Sequence, residues 1–451
     1  MTDTIDEGTS TENESAPAEG QRFADRDTLF GDSPEGVDIW QRVPYDPADY
    51  GPVDDYATDF DHGHPDYNPR APEVWKELRE SGCPVAHSDR YGGMWVPITH
   101  ETVSEIAYDT DNFTSRSVVV STSRPGDLAL PAPIGGAPPI TSDPPFHNIA
   151  RRLLLPPFAP KKIEPWEPEV RRLCNQLIDE MGDITPGETV VDAAVQYAQH
   201  IPVSVIGRML GFPEQDDDLF REFVHTTLER INEEPKARQE AFQRLEIYID
   251  EQVQDHVANP RDDLTDYLLN VEIEGNKLEM DHVRGSIILL LIAGIDTTWS
   301  AIGSSLWHLA QHPEDRRRLS DEPEVMTFAL EEFLRAYAPV TMARLVAKDN
   351  DFHGCPMKKD DWVLLPFPAA NRDPKQFEDA ESFVIDRSEN RHAAFGLGIH
   401  RCLGSNLARL EVKVAIEEFV ARFPNFELAG DTKWSVGQIR GPRKLPVRIT
   451  A

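Results

Sequence analysis

The stretch Phe395-Gly-Leu-Gly-Ile-His-Arg-Cys402-Leu-Gly404 sets one cysteine between glycines, behind an aromatic and just ahead of a segment with helical periodicity. These residue types suit a thiolate bound to a metal. A cysteine at a helix start meets unpaired backbone N–H groups and the positive end of the helix dipole, which are expected to lower the thiol pKa. Gly398 and Gly404 permit tight turns and let a flat cofactor approach the backbone, while Phe395 can pack on the sulfur or on such a ring. A lone cysteine is more often a buried structural thiol. The set of Phe395, Gly398, Cys402 and Gly404 is what turns this one toward chemistry. The other three cysteines, Cys83, Cys174 and Cys355, lack any such setting.

Three further sets stand out. In Ala293-Gly294-Ile-Asp296-Thr297-Thr298 an acid interrupts an apolar helical stretch, and burying it unpaired would cost several kcal/mol. Taken alone, such residues often bond to their own helix backbone. Glu332-Phe-Leu-Arg335 puts opposite charges three residues apart, on one helix face; alone, that is a common solvated pair. In Asp143-Pro-Pro-Phe-His147-Asn-Ile-Ala-Arg151 an acid and two prolines read as a helix start. His147 and Arg151 then share a face, as many surface basic pairs do.

The four sets, in the order they take along the chain (143–151, 293–298, 332–335, 395–404), resemble the cytochrome P450 family, whose heme-binding signature is F-x-x-G-x-x-x-C-x-G. The resemblance spans about residues 72–451, with Cys402 about 50 residues from the C-terminus, as in the family. It implies a fold mainly of α-helix with small β-sheets, a triangular prism with a long central helix over the cofactor. It implies heme b (iron protoporphyrin IX), with Cys402 as the iron ligand and Phe395 and Gly404 beside the ring. His147, Arg151, Arg344 and His400 match residues that bind the heme propionates, a role in which charge-assisted hydrogen bonds suit a buried carboxylate. Thr297 and Asp296 match the proton-delivery pair, and small Ala293 and Gly294 would leave room above the iron. Glu332 and Arg335 match a structural triad completed by Arg387, with Arg372 as rival. The substrate pocket would take Leu289, Ala293, Thr297, Val340, Met342, Ile439 and the loop 118–134. Phe146 stands where an acidic residue is common.

The implied reaction is insertion of one atom of O2 into a C–H bond of a hydrophobic small molecule, with electrons from a ferredoxin and its reductase. Relatives that use peroxide or rearrange their substrates often lose the acid–alcohol pair, which is intact here. A heme-binding sensor would need neither Thr297 nor an apolar pocket, and a zinc site on Cys402 and His400 would have too few ligands.

These residues must be positioned by a large fold. The 451 residues are 39% hydrophobic, enough for a sizeable core, and four cysteines make no disulfide framework. The formal charge of −34 disfavours nucleic acid as a partner. Residues 1–70 hold 18 acidic and 4 basic side chains, which leaves −20 for the other 381. The expected location is the cytoplasm. The longest strongly apolar run is Ile287–Ile295, short of the roughly 20 residues that span a bilayer, and the N-terminus has no signal-peptide pattern. Residues 1–36 have the composition of a disordered segment, residues 37–71 read as an extended arm, and 72–451 as the folded domain. His62-Gly-His64 reads as a solvated turn. Expected elements are a helix over Ala71–Ser81 after Pro72, a strand over Gly92–Ile98, and a helix over His100–Tyr108. Several helical segments follow between 144 and about 260. Long helices are then expected over Asp281–Gln311, Glu322–Tyr337 and 403–422. An acidic body should repel an acidic ferredoxin, so Arg152, Lys161, Lys162, Arg401 and Arg409 are expected to form a local positive island.

Overall fold

The computed structural model describes residues 40–42, 51–120, 123–125, 137–228, 235–273 and 275–450. The composition-based reading of residues 1–36, and most of the loop 118–134, lie outside them. In chain order, helix α1 (Tyr67–Glu80) leads to strands β1 (Val85–Ser88) and β2 (Met94–Pro97), helix α2 (His100–Tyr108) and strand β3 (Phe113–Thr114). Helices α3 (Phe146–Leu154) and α4 (Glu167–Glu180), strand β4 (Val190–Asp192), and helices α5 (His200–Met209), α6 (Asp217–Leu228) and α7 (Pro235–Ala258) follow. Then come the 32-residue α8 (Met280–Gln311), α9 (Pro313–Asp321) and α10 (Met326–Ala336). Strands β5 (Thr341–Val346) and β6 (Trp362–Pro366), helix α11 (Ser405–Arg422), and strands β7 (Phe426–Leu428), β8 (Pro442–Lys444) and β9 (Pro446–Ile449) complete the set used below.

The fold is mainly helical, with small sheets at its edge. The largest sheet has the order β1-β2-β6-β5-β3, parallel between β2 and β6 and antiparallel elsewhere. A smaller one runs β7-β9-β4. The main core wraps α8, which packs on α5, α6 and α11. Of the described helices, α8 alone is long and apolar enough to cross a membrane, but 67% of its most apolar window is buried inside the protein. It is the central helix of a globular core, longer than its nine-residue apolar run implies.

Several boundaries differ from the sequence expectation for identifiable reasons. α1 begins at Tyr67, so Pro72 lies inside it. Pro72 has no N–H for the carbonyl of Asn68. That carbonyl instead accepts from Arg440 Nε at 2.7 Å, in the core. The strand expected over Gly92–Ile98 is limited to Met94–Pro97, because Gly92 and Gly93 turn at φ 77° and 106°. The helix expected from Glu322 starts at Met326: Glu322 precedes Pro323 and sits outside the α region at φ −128°, ψ 73°. α2 spans the expected residues, and its start is held by a reciprocal Thr99–Thr102 capping box.

Residues 51–66 lie on the body as turns rather than as an extended arm. Buried Arg90 anchors them through Asp59 at 2.5 Å and Asp61 at 2.8 Å. His62 is not solvated. It is buried against Tyr91, with ring centroids 4.9 Å apart. At the α8–α9 corner, His308 Nδ1 meets the Tyr337 hydroxyl at 2.7 Å and Nε2 meets Asp315 Oδ2 at 2.8 Å. Both ring nitrogens are engaged, so His308 and Asp315 form a hydrogen-bonded staple between the two helices, with the His312 ring stacked on His308 at 4.1 Å.

Burial of three groups sets an expected pH profile of stability. Burial pushes His62 and His282 down from 6.5 to about 4. Below pH 6.5 the unfolded chain takes protons that the fold refuses, so each histidine costs stability as pH falls toward 4, about 3 kcal/mol apiece at the limit. Burial pushes Glu411, inside α11, up from 4.5 to about 8. Its contribution is complete below 4.5 and is lost as pH rises to 8. Urea unfolding should therefore show greatest stability near pH 6.5 from these groups. Glu411→Gln should remove the decline between pH 6.5 and 8.

Candidate active site

Most of α8 is buried, but around its middle Leu289, Ile292, Ala293, Gly294 and Thr297 are half-buried or exposed. Leu289, Ala293 and Thr297 are four residues apart and share one face as a stripe. The Thr297 hydroxyl donates to the Ala293 carbonyl at 2.9 Å, which weakens the helix ladder on that side. Gly294, beside Ala293, is half-buried, and a Cβ there would make ordinary contact with Ile206 of α5 at 3.4 Å. Asp296 is one residue off the stripe and buried. Arg443 Nη2 of β8 donates to its Oδ1 at 2.6 Å.

α11 packs on α8 and begins three residues after Cys402. The loop before it is held from within, since the Cys402 N–H donates to the Phe395 carbonyl at 2.7 Å. Gly398 has φ 68°, and a Cβ would fall 2.1 Å from the Ala107 carbonyl oxygen at the end of α2. No other residue fits there. At Gly404 no protein atom lies within 4 Å of a Cβ, so packing does not demand that glycine. Phe395 lies under the Arg409 guanidinium, 4.4 Å from its ring centroid. The Cys402 side chain is accessible. Its thiol is nevertheless pushed up, contrary to the sequence expectation. Burial is the larger effect, against the Gly404 N–H and the charges of Arg151, Arg401 and Arg409, which lower it. A coordinated metal ion reverses this balance, because it deprotonates a bound thiol outright.

Beside the cysteine loop lies an unusual cluster of cationic and imidazole groups. The His147 and His400 rings are 4.4 Å apart. Arg151 Nη2 donates to the Arg401 carbonyl. Arg344, buried on β5, donates to the Ala343 carbonyl at 2.7 Å. Burial holds Arg344 down at about 10. Burial, with repulsion from Arg344, His147 and Arg151, takes His400 down to about 2. Among the described residues no carboxylate lies within ion-pair distance of these four groups, and buried His147 Nε2 has no hydrogen-bond partner. The cluster is short of negative charge and of acceptors. A dianionic ligand beside Cys402 supplies both, and the two propionates of heme b fit this donor set.

Glu332 is completely buried. Its oxygens accept from Arg335 Nε at 2.7 Å and Nη2 at 2.8 Å, Arg387 Nε at 3.0 Å, Asn390 Nδ2 at 3.1 Å and the Val384 N–H at 2.7 Å. Arg335 donates further to the carbonyls of Asn371, Ala380 and Ser382. Arg372 binds elsewhere, to the Ala336 carbonyl at 3.0 Å and to Glu381. The network clamps the segment 371–390 that leads into the cysteine loop.

Val340 and Ile439, distant in sequence, meet in an antiparallel bridge, and Met342 is half-buried two residues along. Of the expected positive island, Arg152, Lys161, Lys162 and Arg401 are exposed. Arg409 is instead neutralised by Glu331 at 2.6 Å. Sequence spacing did not point to Ser115, whose hydroxyl is 2.8 Å from His400 Nε2, or to Arg443. Each reaches the site by tertiary contact alone, from a segment with no motif of its own.

Residues 203–436 match the family model for cytochrome P450. The polyketide biosynthesis cytochrome P450 PksS of Bacillus subtilis (strain 168) is 33% identical over 317 residues, 69% of this chain and 77% of that protein. Its solved structure superposes with a TM-score of 0.77 at 29% identity, over 87% of this chain and all of that one. Mycinamicin IV hydroxylase/epoxidase of Micromonospora griseorubida is 33% identical over 68% of this chain and 79% of its own length. The structure of CYP109E1 from Bacillus megaterium in complex with testosterone matches with a TM-score of 0.77 at 28% identity, covering 86% of this chain and 100% of that one. With the glycine-bounded cysteine loop, the long central helix and the small edge sheets already in view, this chain belongs to the cytochrome P450 family, whose cofactor is heme b, and is a cytochrome P450 monooxygenase.

Proposed function

We propose that this protein hydroxylates an apolar molecule of steroid or macrolide size, using electrons from a separate ferredoxin. The observation that carries this reading is the cluster of buried His147 and Arg344 with half-buried Arg151 and His400 beside the accessible thiol of Cys402. When bound, heme b supplies activation of dioxygen and insertion of one oxygen atom into a C–H bond. Cys402 holds the iron as thiolate. His147, Arg151, Arg344 and His400 hold the propionates, with Ser115 fixing the His400 ring. Phe395 and Gly404 border the ring. The Thr297 hydroxyl, kept on the open stripe by its bond to Ala293, holds a proton at the oxygen site, and Asp296 replenishes it from the protein side. Leu289, Ala293, Val340, Met342 and Ile439 offer an apolar lining. The size class is supported by the polyketide and testosterone named for two relatives. A cytoplasmic location belongs to the same proposal, supported by the bacterial relatives.

The first test is the absorption spectrum of the dithionite-reduced protein under carbon monoxide. A band at about 450 nm is expected from thiolate-bound iron. A band at about 420 nm, or no heme, would overturn the reading. The ferredoxin partner has its own test. Lys161 and Lys162 sit on the segment whose Phe158 carbonyl accepts from Asn406 of α11 at 2.9 Å, and Arg151 ties α3 to Arg401. This puts Arg152, Lys161, Lys162 and Arg401 around the N-terminal end of α11. Reversing the charges of Arg152, Lys161 and Lys162 together should slow reduction by a plant-type ferredoxin about tenfold or more at low salt and flatten its salt dependence. Unchanged rates and slopes would exclude docking on this face.

A further inference from the structure

The acid on α8 is held from outside its own helix. β8 lies directly on α8, backbone against backbone. A Cβ at Gly441 would be 2.4 Å from Ser300 Cβ, and one at Gly303 would be 3.3 Å from Pro442. Such close docking leaves Arg443 little choice of position. Its Nη2 donates to Asp296 Oδ1 at 2.6 Å, its Nη1 to Ser300 Oγ at 3.0 Å, and its guanidinium carbon lies 4.2 Å from the Trp299 ring centroid. The three partners stand at i, i+3 and i+4 on one turn of α8. The two charged side chains are 2% and 12% exposed, and a pair this dry is set by geometry rather than averaged by solvent.

The strand that brings Arg443 is continuous with residues at the apolar lining. Ile439 bridges Val340, and Gln438 Nε2 donates to the Thr341 carbonyl at 2.8 Å. The Arg440 N–H donates to the Pro339 carbonyl at 2.8 Å. Residues 438–443 thus run from the lining to the acid.

We propose that Arg443 is a positioning residue for proton delivery: it holds the Asp296 carboxylate in one orientation beside the Thr297 stripe, so that protons reach the oxygen site by one route. This rests on the monooxygenase reading above. Arg443 touches neither substrate nor the reacting atoms and acts through Asp296. Without that clamp the buried Asp296 carboxylate would take more than one orientation, protons would arrive by more than one route, and electrons would be lost to peroxide.

The test uses the heme-loaded protein with a plant-type ferredoxin and its reductase, and compares Arg443→Met, Arg443→Lys, Asp296→Asn and the Met/Asn double variant. Arg443→Met should change peroxide released per NADPH consumed about fivefold or more, and shift the solvent isotope effect of NADPH oxidation between H2O and D2O. The Lys variant should recover part of both. The double variant should match Asp296→Asn rather than compound the two changes. A second readout needs no turnover: urea unfolding of the four proteins should show that the two single losses are not additive. Should the Met variant fail to fold, Arg443→Lys and Asp296→Asn still carry the isotope-effect comparison. A native-like isotope effect and peroxide yield in Arg443→Met, or additive losses in the double variant, would overturn the proposal. Absence of the band at about 450 nm from the native protein would instead overturn the monooxygenase reading.

Discussion

Cys402→Ser is expected to abolish the band at about 450 nm of the reduced carbon monoxide complex and to cut substrate turnover by well over about 100-fold, since losing an outer-shell partner of a metal site already costs about 10–100-fold. Serine keeps the size of the side chain and its position after the Phe395 carbonyl contact at 2.7 Å, so the fold and the propionate donors should remain. Heme content should therefore fall less than activity, and the heme that stays should show a spectrum without thiolate. The loss is chemical. The neighbours that favour negative charge at residue 402, the Gly404 N–H with Arg151, Arg401 and Arg409, do not by themselves overcome burial. They would keep a thiolate tolerable once a bound iron ion displaced the thiol proton to water, but cannot make an alkoxide from serine. A variant that retained the band would require another sulfur ligand, and Cys174, the one fully buried alternative, lies in the core of α4.

The largest structural effect is expected at Glu332. Replacing it by Ala leaves Arg335, entirely buried, facing Arg387 without the shared carboxylate. Removing one partner of a buried pair costs about 3–5 kcal/mol, a large share of the roughly 5–15 kcal/mol that keeps a protein folded. The urea midpoint should fall by that loss divided by the slope, with little change in the slope itself, and the cysteine loop should lose heme on dilution. Arg387→Ala should cost less, because Glu332 keeps its two bonds from Arg335 and the Val384 N–H. Arg372→Ala should leave the Glu332 network intact, as Arg372 binds the Ala336 carbonyl and Glu381. Equal losses at Arg372 and Arg387 would contradict the geometry.

Much of the fold could be read from local patterns, and the candidate site residues from their match to the family's motifs. Apolar spacing marked α8 and α11, and the glycine spacing around Cys402 marked a turn that only glycine completes at residue 398. Ends of elements were read less well. Pro72 inside α1 depends on Arg440, 368 residues away, to satisfy a carbonyl, and no window around Pro72 contains that information. The burial of His62 depends likewise on Tyr91.

By itself, the sequence determined the family and the candidate groups: the Cys402 thiol, the acid and alcohol of Asp296 and Thr297, and the histidines and arginines that match the family's motifs, because residue type decides what a group can ligate or protonate. Only the tertiary structure decided which groups are desolvated and who faces whom. It raised the thiol pKa that helix position alone would lower. It gave Arg387 rather than Arg372 to Glu332, neutralised Arg409 with Glu331, and set Arg443 on Asp296. The physical reason is common to all four. Burial and ion pairing depend on distances of a few ångströms between segments far apart in the chain, and these distances exist only once the helices and strands have packed.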